Sequence, residues 1–388
     1  MKRVVFFLFS LFFFCFSVYA EEFDITGKYV SLYNMNEDML IYSKNDTKKT
    51  SIASLTKMMT TLVAIENIDD LEKVITIKER DFDGTVGYSK AGFSVGDKVT
   101  YLDLLYGIIL PSGADAVNAI VNNTLGYNSF IKKMNETAKK IGMNDTSFAN
   151  PIGKDDENNY STSSDIAKLL KYALKNETFK KVFTTKSYKT SNGINLESTV
   201  NSYKSILNTS EILGAKSEFT KNAGRCLASI TTLNGVDYLL VVINSSTSSP
   251  SNAVKDTITI YDYYSSNYGY KNILNDDTFI KEIPVDLSKE KTYKITGNED
   301  VNKYLKNGDE VTYEYVGSDK ITFNTKKGSK LGVVNIYNGD ELIATSNVYL
   351  ENNIEYYPIV TYVLIFIGVI FILLIIRKSK KNHRRRRR

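Results

Sequence analysis

Ser54-Leu55-Thr56-Lys57 places a hydroxyl and an amine three residues apart. On a helix, that spacing puts both side chains on one face, one turn apart. Leu55, Met58, Met59, Leu62 and Val63 recur at helical spacing and predict a helix that begins near Ser51, with Ser54 at its start. A helix N-terminus offers unpaired N–H groups and positive potential. A serine there, beside an unprotonated lysine, has a base for its proton and amides for an oxyanion. The tetrad alone decides little. Ser129 to Lys132 and Ser288 to Lys291 share the spacing, and an N-cap serine followed by a solvated lysine reads equally well.

Two further segments carry candidate chemistry. Pro111-Ser112-Gly113-Ala114-Asp115-Ala116 lies between predicted helices. Ser112 there can relay a proton to a departing amine, or simply cap the second helix. Gly214-Ala215-Lys216-Ser217-Glu218-Phe219-Thr220 precedes a hairpin. Lys216 on an edge strand beside a cleft would attract an anionic substrate and lower the pKa of a nearby Lys57. The alternative is a solvated lysine that guards the sheet edge.

Other chemistries are excluded. The single histidine, His383, lies in the basic C-terminal run, so a Ser-His-Asp triad cannot form in the body of the chain. A zinc site is disfavoured for the same reason, and no metal or cofactor is expected. Cys15 falls in the predicted leader, which leaves Cys226 alone and without a disulfide partner. Any general base must therefore be Lys, Glu, Asp or Tyr.

The elements that must position these groups follow from pattern. Strand-like and helix-like segments alternate from Phe23 to Tyr270: strands over 28–32 and 39–42, helices over 101–110, 114–121, 166–174 and 253–264. Thr100 with Asp103 has the form of a capping box. Asn234-Gly235 between the apolar runs 226–233 and 236–243 predicts a hairpin, and Asn338-Gly339 between 331–337 and 341–346 predicts a second. Residues 311–316 and 321–324 also alternate as strands do. The expectation is a mixed α/β unit, an antiparallel sheet with helices packed on it, over 21–272, then a small all-β unit over 273–352 that serves as a spacer.

The two ends point outside the cytoplasm. Residues 1–20 combine Lys2 and Arg3, an apolar run and Val18-x-Ala20, the form of a cleaved secretory signal peptide. Residues 356–376 are long enough to cross ~30 Å of hydrocarbon as a transmembrane helix. The basic tail 377–388 then stays inside, and the working part faces out from the cell membrane. Nine of the 49 basic residues lie in that tail and two in the leader, which leaves 38 against 44 acids, a net charge of −6. That balance argues against a nucleic-acid partner.

Together and in this order, the three segments resemble the S-x-x-K, S-x-N and K-T-G motifs of penicillin-binding proteins. The chain is most similar to the low-molecular-mass serine D-Ala-D-Ala carboxypeptidases. The likeness extends to Thr56–Thr60, Gly92, Gly96–Thr100, Phe148-Ala149-Asn150-Pro151, Tyr160–Thr162, Asp165 and Thr220–Gly224. It implies the penicillin-binding-protein and β-lactamase-like transpeptidase fold. It implies that Ser54 attacks the bond between two D-alanines, Lys57 takes its proton and Ser112 returns one to the leaving D-alanine. Lys216, Ser217 and Phe219 would bind substrate, the Ser54 and Phe219 amides forming the oxyanion hole. The implied partners are peptidoglycan stem peptides, with β-lactams as inhibitors.

Three positions depart from the family pattern. Ala114 stands where Asn is common, Glu218 replaces the Gly of K-T-G, and 249–255 lack the arginine that helps relatives bind the terminal carboxylate. Two of these fall on carboxylate recognition. They leave a second reading open: an impaired homologue that acts as a wall-binding or regulatory protein. Glu218 in the groove would favour that reading; Glu218 in solvent would favour the enzyme. A β-lactamase fits the anchored two-unit architecture poorly.

Overall fold

A computed structural model describes residues 23–385, so the predicted leader lies outside the described residues. The chain divides after Ser266 into two compact units.

The first unit is built on a five-stranded antiparallel sheet. Its strands are β1 (Tyr29–Asn34), β2 (Met39–Lys44), β3 (Gly214–Thr220), β4 (Gly224–Leu233) and β5 (Val236–Ser245), in the order β2-β1-β5-β4-β3. β4 and β5 close through Asn234 and Gly235, both at positive φ (51° and 79°), as the two-residue turn read from the sequence requires. Alternation along β4 sends Cys226 and Ala228 into one core and Leu227 into another, so both faces of the sheet are covered. Helix α7 (Asn252–Asn267) lies on the Leu227 side through Ala253 and Val254.

The opposite face carries α1 (Thr56–Asn67), α2 (Tyr101–Ile109), α3 (Ala114–Asn123), α4 (Tyr127–Lys140), α5 (Ser163–Ala173) and α6 (Glu177–Thr184). The sequence reading named neither α4 nor α6. The predicted capping box opens α2: Asp103 N–H donates to Thr100 Oγ1 (3.0 Å) and Thr100 N–H to Asp103 Oδ2 (2.9 Å).

α1 is buried on every side from Thr56 to Ala64, among residues of α2, α3, α4 and α5. A helix enclosed in this way must satisfy its polar side chains internally. Thr60 Oγ1 donates to the Pro151 carbonyl (2.6 Å) and Thr61 Oγ1 to the Lys57 carbonyl (2.8 Å). α1 begins later than predicted. Ser51 is in a two-residue strand paired with Tyr160–Ser161, and Ala53–Leu55 form a 3₁₀ turn that leads into Thr56.

The second unit is all-β up to its final helix. Its pairs are β6 (Tyr268–Leu274) with β9 (Val301–Lys306), and β7 (Phe279–Pro284) with β8 (Thr292–Thr296). β10 (Val311–Gly317), β11 (Lys330–Asn338) and β12 (Glu341–Tyr349) form a three-stranded sheet. Ile295, Val334, Ile336 and Leu350 centre its core. The β6–β9 pairing places residues 268–274 in this unit. The second hairpin turns one residue later than its Asn-Gly signal, because Asn338 still pairs with Glu341. The predicted strand 321–324 reduces to one bridge, Ile321 with Val285.

Helix α8 spans Ile359–Arg385. Its described apolar side chains run from Tyr362 to Ile376. Among the described residues no helix is long and apolar enough to cross a membrane, so the structure does not establish the expected span over 356–376.

Candidate active site

Ser54 sits in the 3₁₀ turn immediately before α1, after Ala53 at φ 46°, and Lys57 occupies the first turn of that helix. Lys57 Nζ donates to Ser54 Oγ (2.5 Å) and to the Ile152 carbonyl (2.8 Å). Burial lowers the Lys57 pKa to about 7 against the attraction of Glu218, and Lys216 adds to the fall. The solvated-lysine alternative is thereby excluded: enclosure of α1 forces an amine into the interior, and desolvation disfavours its charged form.

The competing tetrads have no such setting. Lys132 is exposed and forms an ion pair at 4.0 Å with Glu136 one turn on. Ser288 is held by a hydrogen bond to the Glu355 carbonyl (3.2 Å), and Lys291 is exposed.

The loop after Phe148 presses against the nucleophile. Asn150 Oδ1 accepts the N–H groups of Gly153 and Lys154, both at 2.8 Å, which folds the loop so that the Ile152 carbonyl meets Lys57. A Cβ on Gly153, whose φ is +81°, would lie 2.2 Å from the Ala53 carbonyl oxygen and 2.9 Å from Ser54 N. Only glycine fits there. Asp155 then accepts from Ser51 Oγ (3.1 Å) and Thr220 Oγ1 (3.0 Å), tying the loop to β3.

Ser112 lies between α2 and α3 at φ 65°. Gly113, not Ser112, occupies the N-cap position of α3, and Ser112 Oγ donates instead to Glu218 Oε2 (3.2 Å). The capping alternative is thus excluded. Ala114 is fully buried, its N–H donating to the Ser89 carbonyl (2.8 Å). Asp115 accepts the Ala91 N–H (2.8 Å).

β3 is the sheet edge, but Lys216 is fully buried rather than solvated. Its Nζ donates to the Ser217 carbonyl (2.9 Å), and burial lowers its pKa to about 8 against Glu218. Ser217 Oγ pairs with Thr199 Oγ1 at 2.5 Å. The Phe219 side chain is exposed.

Glu218 points into the groove. Burial opposes its ionisation, but Lys216, Lys57 and hydrogen bonds from Ser54 and the Phe219 amide hold its carboxyl below the usual carboxylate range. An ionised carboxylate, accepting from the Ser112 hydroxyl, therefore lies beside the nucleophile. Ser54, Lys57, Ser112 and Lys216 gather around Glu218, whereas the Ser217 and Phe219 side chains leave β3 on the face opposite Lys216 and Glu218 and line a cavity that also reaches Ser112. The sequence reading gave no role to Asn150, Ile152 or Gly153. The resemblance of 148–151 was their only signal.

Among the described residues no group of His, Cys, Asp and Glu could hold a metal ion. What the groove can do is acyl transfer through a serine whose proton goes to a neutral lysine.

Comparison with known proteins agrees. Residues 17–247 match the family described as D-alanyl-D-alanine carboxypeptidase, and residues 268–356 match the penicillin-binding protein 5 C-terminal domain. A D-alanyl-D-alanine carboxypeptidase, DacF, of Bacillus subtilis is 27% identical over 343 residues, 87% of this chain and 88% of that protein. The D-alanyl-D-alanine carboxypeptidase of Streptomyces sp. strain K15 is 33% identical over 54% of this chain and 78% of its own length. The solved Streptomyces K15 DD-transpeptidase superposes with a TM-score of 0.56 at 30% identity, over 62% of this chain and 98% of that one. Penicillin-binding protein 5 of Haemophilus influenzae shares the fold with a TM-score of 0.62 at 23% identity, over 86% and 99%.

Proposed function

The chain belongs to the D-alanyl-D-alanine carboxypeptidase family, and on that premise we propose how its groove removes the terminal D-alanine from peptidoglycan stem peptides. The protein is a serine-type peptidase. The observation that carries the mechanism is the 2.5 Å contact between Ser54 Oγ and a Lys57 amine whose pKa is about 7. Near neutral pH a large share of that amine is unprotonated and can accept the serine proton.

Ser54 Oγ attacks the penultimate D-alanine carbonyl as its proton passes to Lys57. The oxyanion lies against the Ser54 and Phe219 amides. Ser112 passes a proton to the departing D-alanine amine, and water then hydrolyses the ester on Ser54. Lys216 supplies positive potential for the substrate carboxylate. Penicillins acylate the same hydroxyl. Glu218, held by Ser112, must turn aside before substrate can fill the groove. Its place in the groove is the observation that favoured an impaired homologue; the intact Ser54–Lys57 pair and the carboxypeptidase relatives support turnover instead.

The family acts on the cell wall. α8 anchors the enzyme to the membrane with its basic end inside, and the β-rich unit serves as a spacer. The exposed run Tyr362 to Ile376 and the basic tail that follows support this. The test is D-alanine release from a peptide that ends in D-Ala-D-Ala, with Ser54→Ala as control, in parallel with fractionation of the full chain and of a chain lacking 353–388. Release and penicillin labelling should vanish in the control, and the shortened chain should leave the membrane pellet. Release that survives Ser54→Ala would overturn the mechanism, and a shortened chain that stays in the pellet would overturn the anchor.

A further inference from the structure

The attacked carbon and the terminal carboxylate of a D-Ala-D-Ala peptide are one residue apart, at most ~3.8 Å. Whatever receives that carboxylate must therefore border the nucleophile's groove. The segment 249–255 brings no arginine to it, and its one cation, Lys255, is exposed.

A cavity of about 300 Å³ begins at Ser112 and Glu218 and continues along Ser217, Phe219 and Arg225 to Val254 of α7. Arg225 is the only cation among the described residues that line it. Arg225 and Phe219 are directly paired across β3 and β4, so their side chains leave the sheet on the same face as Ser217. The guanidinium carbon lies 4.4 Å from the Phe219 ring centroid. Stacking of this kind fixes the plane of the fork and leaves its N–H edges free. Arg225 Nε is buried without a hydrogen-bond partner, and among the described residues Arg225 forms no ion pair. A buried, charged N–H group without an acceptor is costly, and a carboxylate is the ligand a guanidinium fork matches. The Thr199–Ser217 hydroxyl pair beside it has one further O–H to donate.

We infer that Arg225 is the substrate-binding residue that receives the terminal carboxylate, in place of the arginine missing from 249–255. The inference rests on the carboxypeptidase reading above. Relatives bring their arginine from beyond the hairpin; this chain brings one from the first strand of the hairpin itself, stacked on Phe219.

The test compares two substrates on the full chain in detergent: a peptide ending in D-Ala-D-Ala with a free carboxylate, and the same peptide as its C-terminal carboxamide. The wild-type chain should prefer the acid. In Arg225→Gln the acid-to-amide ratio of kcat/KM should fall about 10- to 100-fold, through KM. Arg225→Lys, which keeps the charge without the fork, should fall between the two. An unchanged ratio, or an equal loss on both peptides, would overturn the assignment of Arg225 and leave the enzyme reading intact. A wild-type chain that releases nothing from either peptide would overturn the carboxypeptidase reading and this inference with it.

Discussion

Removing the Glu218 carboxylate should open the groove and raise kcat/KM. In the resting structure it accepts from Ser112 Oγ at 3.2 Å and lies in the field of Lys57 and Lys216. A hydrogen bond to a charged group contributes about 1.5–3 kcal/mol. The net cost of displacing the carboxylate is close to one such bond. At 1.36 kcal/mol per decade, the substrate-ready groove is then populated about 10- to 150-fold less than it would be without Glu218. Glu218→Gln and Glu218→Gly should raise kcat/KM for D-alanine release within that range, mostly through KM. An unchanged or lower kcat/KM in a folded variant would refute the obstruction argument.

The same change carries a structural cost. It removes the carboxylate whose field supports the charge of two fully buried lysines, and the lysines adjust by losing protons. Both lysines have folded pKa values below the ordinary 10.5, at about 7 and about 8. Across the window from about 7 to 10.5 the unfolded chain binds more protons, so stability rises with pH there. Glu218 raises both values, so its removal should start the rise at lower pH. Thermal melts of the variant and wild type against pH would read this directly.

Two further outcomes are expected. The profile of kcat/KM against pH should rise with an apparent pKa near 7 as Lys57 becomes neutral and fall near 8 as Lys216 loses its charge, the two values belonging to the pair. Lys216→Arg should move the alkaline limb upward, and a flat profile through neutral pH would contradict the roles given to both lysines. Gly153→Ala should cost about 1–3 kcal/mol from the positive φ alone. Because its Cβ would stand 2.2 Å from the Ala53 carbonyl oxygen, it should also shift Ser54 and reduce kcat by about 10²-fold. An unchanged melting temperature and kcat would show that the loop yields without moving the nucleophile.

Much of this was legible in the sequence because the signals are local. Thr100 and Asp103 cap α2 through one turn of backbone, and Asn234-Gly235 reverses the chain wherever the flanking strands pair. The lack of a histidine before residue 383 excluded a triad without any structure. The three candidate segments stood in their family order, and Ser54, Lys57, Ser112 and Lys216 from them gather around Glu218. Pattern failed where a neighbour decided the outcome. α4 and α6 were missed, and 321–324 alternates like a strand yet has no ladder partner. Residue type and order thus determined which chemistry the chain could attempt. Tertiary structure decided the rest: that enclosure of α1 desolvates Lys57, that Asn150 folds the Ile152 carbonyl onto it, that Glu218 turns inward and that Arg225 stacks on Phe219. All but the last of these depend on groups tens of residues away, and desolvation and electrostatic fields are set by distance through space, which spacing along the chain does not record.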